Sequence, residues 1–431
     1  MSGSPVTLGL RANAVQFSLL VAVNALVGAM VGLERSTLPG LGEEEFGVGS
    51  ATAVLSFIVA FGLAKSITNL GAGALAERVG RRRLLVLGWA VALPVPVLIG
   101  VAPSWSWVVA ANVLLGINQG LAWSMTVVMK IDLVGPRRRG LALGLNEAAG
   151  YGGVAAAAVL SGWLAGEFLA RDVLVVGASS VAIAGLAIST LFVRDTAEHV
   201  RLEQRREHPD SGPAPGLGAT FAASTYRDPG LRSCSQAGLV NNLNDALAWG
   251  LLPLFLAASG ADTAAIGLVA AVYPAVWGIG EIYTGHLSDR VGRKLLIVAG
   301  MLVQAAGLAL LAASDGRIGL AVAAGAILGA GTALVYPTLI AAISDRVSPI
   351  ARPAAVGVYR FWRDMGYVAG GLLAGLLADA VGFSTSILVV AALTALSGLW
   401  VAFDMPATRG GPPGRGTRSA VSASGPAARR S

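Results

Sequence analysis

Charge is scarce in this sequence. Asp, Glu, Lys and Arg make up 13% of its 431 residues, about half the share found in a soluble domain. That scarcity excludes an ordinary water-soluble globule. Cysteine is almost missing as well. Cys234 stands alone, which excludes a disulfide framework and any cysteine-based metal cluster. The three histidines, His199, His208 and His286, are scattered in or beside predicted loops, so neither a metal site nor a cofactor is expected. No nucleophile–base pair or phosphate-binding loop is legible. The glycine-rich run 150–153 lies inside an apolar stretch, where small residues serve helix packing. An enzyme is therefore not expected. Nor is a cleavable signal peptide, because the first apolar run is long and no small-residue cleavage site follows it.

What the chain does hold is apolar length. It is 55% hydrophobic with a mean hydropathy of +0.70. Runs of about 20 apolar residues recur, the length that crosses a hydrocarbon core. The 57 glycines fit close helix–helix approach in lipid. Hydropathy predicts twelve spans, at 13–39, 50–71, 84–101, 105–131, 140–166, 172–193, 233–258, 263–283, 295–313, 317–343, 354–379 and 383–403. The fold class expected is an all-α membrane protein with both termini on one side. Lys and Arg choose the side. Most of the 31 basic residues fall at the N-terminus, after even-numbered spans or in the C-terminal tail, and the opposite loops hold only Arg171 and Arg317. Both termini are therefore expected in the cytoplasm of a cell inner membrane. The net charge of +7 then needs no nucleic acid to explain it.

The expected organisation is an N-terminal six-helix bundle over 1–194, a cytoplasmic linker over 195–228, a C-terminal six-helix bundle over 229–405 and a tail over 406–431. The linker is rich in Glu, Arg, Pro and Gly and reads as mobile, with room for one short surface helix. The tail, rich in Gly, Pro, Ser and Arg, reads as disordered and held near anionic lipid by its arginines.

The halves repeat. Gly73-Ala-Leu-Ala-Glu-Arg-Val-Gly-Arg-Arg matches Gly285-His-Leu-Ser-Asp-Arg-Val-Gly-Arg-Lys. Asp132 before Pro136 matches Asp345 before Pro349, Gly150-Tyr151 matches Gly366-Tyr367, and Leu38-Pro39, ending the first span, matches Leu252-Pro253. Parallel six-helix repeats put a substrate site near the midplane, between the halves.

On these residues the chain resembles a major facilitator superfamily transporter over nearly its whole length. The loop after the second span is similar to that family's G-x-L-a-D-r-x-G-r-k pattern, with Glu77 where Asp is usual, and the copy after the eighth span keeps Asp289. The resemblance implies two six-helix bundles related by a pseudo-two-fold axis, working as a monomer by alternating access. It implies a conformational latch made of Gly73, Glu77, Arg78, Gly80 and Arg81 with Asp132, and of Gly285, Asp289, Arg290, Gly292 and Arg293 with Asp345; Arg137–Arg139 and Arg352 are placed to join it. The other reading is that these charges only fix topology. The resemblance also implies that spans 1, 4, 7 and 10 line a cavity and that spans 2, 5, 8 and 11 flank the seam between halves.

An ionisable group inside a membrane is costly unless paired or hydrated, so each marks a candidate site. Glu34 and Arg35 fall in the first span, and the repeat maps them onto Ala248 and Trp249, inside the seventh. An ion pair at the external rim is their alternative reading. Lys65 and Asn69 share a face of the second span, and Trp123 and Lys130 a stripe of the fourth. Glu147 follows Asn146 in the fifth. Asn241, Asn244, Asp245 and Trp249 fall in the seventh, and Tyr273, Trp277 and Glu281 in the eighth. Tyr336 lies in the tenth. Arg360, Arg363, Asp364 and Tyr367 share one face of the eleventh. Glu147 and Arg363 occupy matched repeat positions, so a direct pair is one possibility. The substrate and coupling candidates are Glu34, Arg35, Lys65, Trp123, Glu147, Asn241, Asp245, Trp249, Glu281, Tyr336, Arg360, Arg363 and Asp364. Packing between helices is the alternative role for each.

Two departures bear on function. Where the drug:proton antiporter branch carries R-x-x-Q-G, this chain reads Asn112-Val-Leu-Leu-Gly116; where that branch carries G-P-x-x-G-G, it reads Gly150-Tyr-Gly-Gly153. Both weaken a multidrug assignment, and the charged seam suggests a polar or ionic cargo. The leading expectation is a proton-coupled secondary transporter of a small solute, acting in efflux as an antiporter. The alternatives are proton-coupled uptake of an organic anion and, in another class, a lipid flippase or a non-transporting sensor. The partners expected are a small-molecule substrate, protons and the lipid bilayer.

Overall fold

The computed structural model describes residues 6–135, 139–207, 216–347 and 351–406. Every regular element among them is helical. The N-terminal half holds α1 (Ala14–Glu44), α2 (Ser56–Val79) preceded by the one-turn helix Ala51–Val54, and α3, a span over Arg81–Gly100. It continues with α4 (Trp105–Val134), α5 (Arg139–Glu167) and α6 (Ala170–Leu191). The C-terminal half opens with α7, built of Pro229–Ala246, a wider π-helical turn at Leu247–Leu251 and Leu252–Ala258. Then come α8 (Thr263–Val291), α9 (Arg293–Ala312), α10 (Ile318–Arg346), α11 (Arg352–Val381) and α12 (Phe383–Asp404).

Eleven of these helices are long and apolar enough to cross a membrane. The twelfth, α7, is the exception in sequence because Asn241, Asn242, Asn244 and Asp245 interrupt it. All four are buried within the protein, so this span meets other helices where the rest meet lipid, and its polarity is tolerated. The spans expected from hydropathy all form. One end is corrected: α1 does not stop at Leu38-Pro39 but runs through Pro39 to Glu44. A proline removes one helical hydrogen bond, and in a membrane neighbouring helices sustain the interrupted turn.

The junctions follow from local chemistry. Gly80 separates α2 from α3 at φ 96° and Gly292 separates α8 from α9 at φ 97°. Positive φ is glycine's territory, so the repeated loops turn within one residue. Asp228 caps α7 by accepting from the Leu231 amide at 2.9 Å, and Asp262 caps α8 from the Ala265 amide at 2.7 Å. The segment between halves carries the helix Ala197–Glu207 and a helical stretch at 217–227. The tail beyond residue 406, expected to be disordered, lies outside the described residues.

The two halves meet mainly along two helix pairs, α5 with α8 and α2 with α11, with α1 also touching α7 and α8. Within the halves α1 packs on α5 and α7 on α11. The seam that the resemblance implies is therefore made by those four helices.

Candidate functional site

At the seam, burial forces charges together. Asp364 on α11 takes Lys65 of α2 at 3.7 Å, Arg363 at 3.5 Å and the Asn242 amide of α7 at 3.3 Å. The Asn69 amide also donates to Asp364, and Ser124 of α4 donates to Asn69 at 2.7 Å. Arg363 reaches across the seam to the Tyr151 hydroxyl of α5 at 3.0 Å and lies 4.0 Å from Asp245 of α7. Its guanidinium sits 4.2 Å over the Tyr336 ring. Tyr273 donates to Asp245, whose second oxygen makes no hydrogen bond. Lys65, Asp245, Arg363 and Asp364 are all buried. One continuous network thus joins α2, α5, α7 and α11, drawn from both halves.

A second cluster lies on α5 and α8. Glu147 accepts from the Trp123 indole at 3.2 Å and the Asn146 amide at 2.9 Å, leaving its other oxygen without a hydrogen bond. Glu281 accepts from Trp277 at 2.7 Å and lies close enough to Glu147 for the two carboxylates to repel. The Tyr151 and Trp277 rings meet across the seam with centroids 3.5 Å apart. Lys130 is an electrostatic neighbour of Glu147 and donates to the Leu20 carbonyl at 3.2 Å.

Several sequence candidates are brought together, though not always as pairs. The Glu147–Arg363 pair does not form: among the described residues Arg363 is held by Asp245, Asp364 and Tyr151. Arg360, half-buried, joins the edge of the network by donating to Ser124 at 3.3 Å. Asn241 accepts from Gln304 of α9 at 3.0 Å. Glu34 and Arg35 do not lie on an external rim. They are 0% and 1% exposed, and the Arg35 guanidinium makes no hydrogen bond. Glu34 has Arg35 and the Asn112 amide as its polar neighbours. Arg35 is packed against Phe57, Phe61 and Trp249.

At the loops of the repeat, Arg81 pairs with Asp132 at 2.8 Å and Arg293 with Asp345 at 3.1 Å, the same contact in each half. Asp132 also accepts from Thr196 at 2.6 Å, tying the linker to it. Arg290 is exposed. The side chains of Gly73, Glu77, Arg78, Gly285, Asp289, Arg139 and Arg352, and residues Arg137 and Arg138, lie outside those described.

Sequence reasoning missed Asp379. At the end of α11 it accepts from the Ser50 hydroxyl at 2.6 Å and from the amides of Ala51 and Thr52 at 2.7 and 3.0 Å. This clasp joins the halves at the end of the bundle away from the repeated loops. At the same end Gly162 of α5 and Gly267 of α8 touch so closely that a Cβ on Gly162 would lie 2.8 Å from the Gly267 Cα. The only available signal was an acid at the tip of a span.

The sequence profile of the Major Facilitator Superfamily matches residues 10–231 and 235–430. An uncharacterized MFS-type transporter of Salmonella typhimurium is 27% identical over 78% of this chain and 82% of its own length. A protein of Cupriavidus pinatubonensis named "probable 4-methylmuconolactone transporter" is 28% identical over 60% of this chain and 58% of its own. The inner membrane transport protein YajR of Escherichia coli is 38% identical over 21% of this chain and 19% of its own.

Proposed function

The chain belongs to the major facilitator superfamily, and from that premise we propose that it takes up a small organic anion together with a proton. It is a multi-pass membrane transporter of small solutes. The finer reading is carried by one observation, the buried network of Lys65, Asp245, Arg363 and Asp364 drawn from both halves. Each cation there is held by a carboxylate. Protonating a carboxylate releases its cation, and a buried cation left alone is costly. An anionic cargo relieves that cost. Proton and anion therefore favour each other's binding, which is the linkage a symporter needs.

Export in exchange for protons, favoured on resemblance alone, requires proton and cargo to compete. A cationic cargo would compete for these carboxylates; an anion held by the released arginine or lysine does not. The neighbouring Glu147 and Glu281 are a second place for a proton, since like charges held close in a dry site favour sharing one. The relative named for a muconolactone suits an organic cargo. The Lys and Arg distribution supports cytoplasmic termini in the inner membrane, with the Asp379 clasp on the outside. On that reading the Arg81–Asp132 and Arg293–Asp345 pairs belong to the cytoplasmic latch.

Proteoliposomes with an imposed pH gradient test the proposal. External acid should drive accumulation of a labelled organic acid. Expulsion under the same gradient, or no response to either gradient direction, would overturn it.

A further inference from the structure

Arg35 presents a problem that the seam network does not solve. Its guanidinium is 1% exposed, and Nε, Nη1 and Nη2 all lack a hydrogen bond. The Phe61 and Phe57 rings of α2 lie 4.5 and 5.0 Å from it, and the Trp249 ring of α7 lies 5.9 Å away. Rings stack on the face of a guanidinium and leave its in-plane N–H fork free. A buried donor set without acceptors is a state that proteins avoid. The Trp249 indole N–H is a further orphan donor, and it stands on the π-helical turn of α7, a local widening frequent at functional sites. Trp249 in turn stacks on Tyr367 of α11 at 5.7 Å and 21°.

We infer that Arg35 is the anchor for the carboxylate of a planar, unsaturated monocarboxylic acid, with the Trp249 ring against the body of the ligand. The fork matches a carboxylate two-point, and the surrounding π faces favour a flat conjugated body. Adjacent Glu34, equally buried and beside Asn112, sets the charge. With Glu34 ionised, an incoming monoanion leaves the site with a net negative charge. With a proton taken from water onto Glu34, the ligand carboxylate balances Arg35 and the site is neutral. The direction of movement rests on the symport reading above; the binding rests on Arg35 alone.

The test uses the purified full-length chain with benzoate, benzamide and acetate as probes, read by tryptophan fluorescence and thermal unfolding. Benzoate should bind and raise the unfolding temperature, and benzamide, which lacks the charge, should do neither. Acetate should bind about tenfold more weakly for want of a ring. Arg35→Lys keeps the charge without the fork and should weaken benzoate by about tenfold or more. Arg35→Gln should abolish benzoate binding and with it the rise in unfolding temperature that benzoate produces. A purely structural arginine would leave that ligand-induced rise in place. Equal binding of benzoate and benzamide, or full benzoate affinity in Arg35→Gln, would each overturn the inference. If benzoate binds through Arg35 but no pH gradient moves it, the symport reading falls and the site stands. If a gradient moves organic acids independently of Arg35, the site falls and symport stands.

Discussion

Asp245 is the residue at which coupling and structure separate most clearly. It accepts from Tyr273 and lies 4.0 Å from Arg363. Asp245→Asn keeps the shape and the Tyr273 contact but cannot exchange a proton. We expect it to lose proton-driven accumulation by about tenfold or more, since removing one partner of a buried pair costs about 3–5 kcal/mol. Exchange of labelled for unlabelled cargo at equal pH should be better preserved, because exchange needs no net proton transfer. Equal loss of both would place Asp245 in the architecture alone. Tyr151 gives a second contrast. Its hydroxyl accepts from Arg363 at 3.0 Å while its ring stacks on Trp277. Tyr151→Phe retains the stack and loses the hydrogen bond, a loss of about 1.5–3 kcal/mol for a bond to a charged group. It should lower the unfolding temperature modestly and reduce transport, whereas Tyr151→Leu should lower both further. Sequence reading named all the charges of this site but not their partners. Glu147 and Arg363 occupy equivalent positions of the repeat. Positions related by a pseudo-two-fold touch only where they approach the axis, so equivalence does not imply contact.

The spans themselves were legible because twenty apolar residues have one use in a long chain, and the repeated glycine loops were legible because positive φ leaves few alternatives. The α1 end was not, since a proline that stops a helix in water only bends one that neighbours support in lipid. Asp379 was invisible for another reason: beside the Ser50 hydroxyl, its partners are the backbone amides of 51 and 52, and an amide carries no residue identity. The linker shows what the element scale adds. Its helix Ala197–Glu207 meets the N-terminal half through Thr196 on Asp132 and through His199, whose Nε2 lies 3.3 Å from the Asn13 amide oxygen. Burial lowers the His199 pKa, with Glu198 opposing the shift. A lowered histidine pKa means that the folded state prefers the neutral ring. Its contribution is therefore present above the unfolded pKa and lost as pH falls through the lower folded value. Acidification below about pH 6.5 should loosen this helix, seen as lower amide protection factors over 197–207, each taken relative to the exchange rate of the unstructured chain at the same pH. In His199→Gln the protection factors of this segment should no longer depend on pH across that window. Unchanged pH dependence in the variant would assign the effect to another group.

At the scale of the whole molecule the question is which contacts must break for the halves to rock. Contacts across the seam are dense at the end that carries Asp379. There the Asp379 clasp closes α11 onto the start of the α2 segment, and Gly162 meets Gly267 with no room for a side chain. If each half moves as a body, as two helix pairs at the seam suggest, this end must open for the other to close. A reversible staple tests that requirement. The Ser50 hydroxyl lies 2.6 Å from an Asp379 carboxylate oxygen, so cysteines at these two positions sit side by side and join whenever motion brings their Cβ atoms to about 4 Å. The native Cys234 is fully buried on α7 and will not compete. Oxidation of the Ser50→Cys, Asp379→Cys protein should form the cross-link and arrest net transport, and a reductant should restore it to the level of the reduced variant. Each single cysteine variant should be insensitive to the oxidant. The Asp379→Asn variant should act oppositely: it weakens the clasp without blocking motion, and shifts the population toward the form open at this end. The shift is bounded by the hydrogen bonds weakened, about 1–3 kcal/mol, hence roughly five- to 150-fold in the ratio of the two forms. A cross-linked protein that transports at the full rate would show that this end never opens during the cycle, and rocking about the seam would then have to be abandoned.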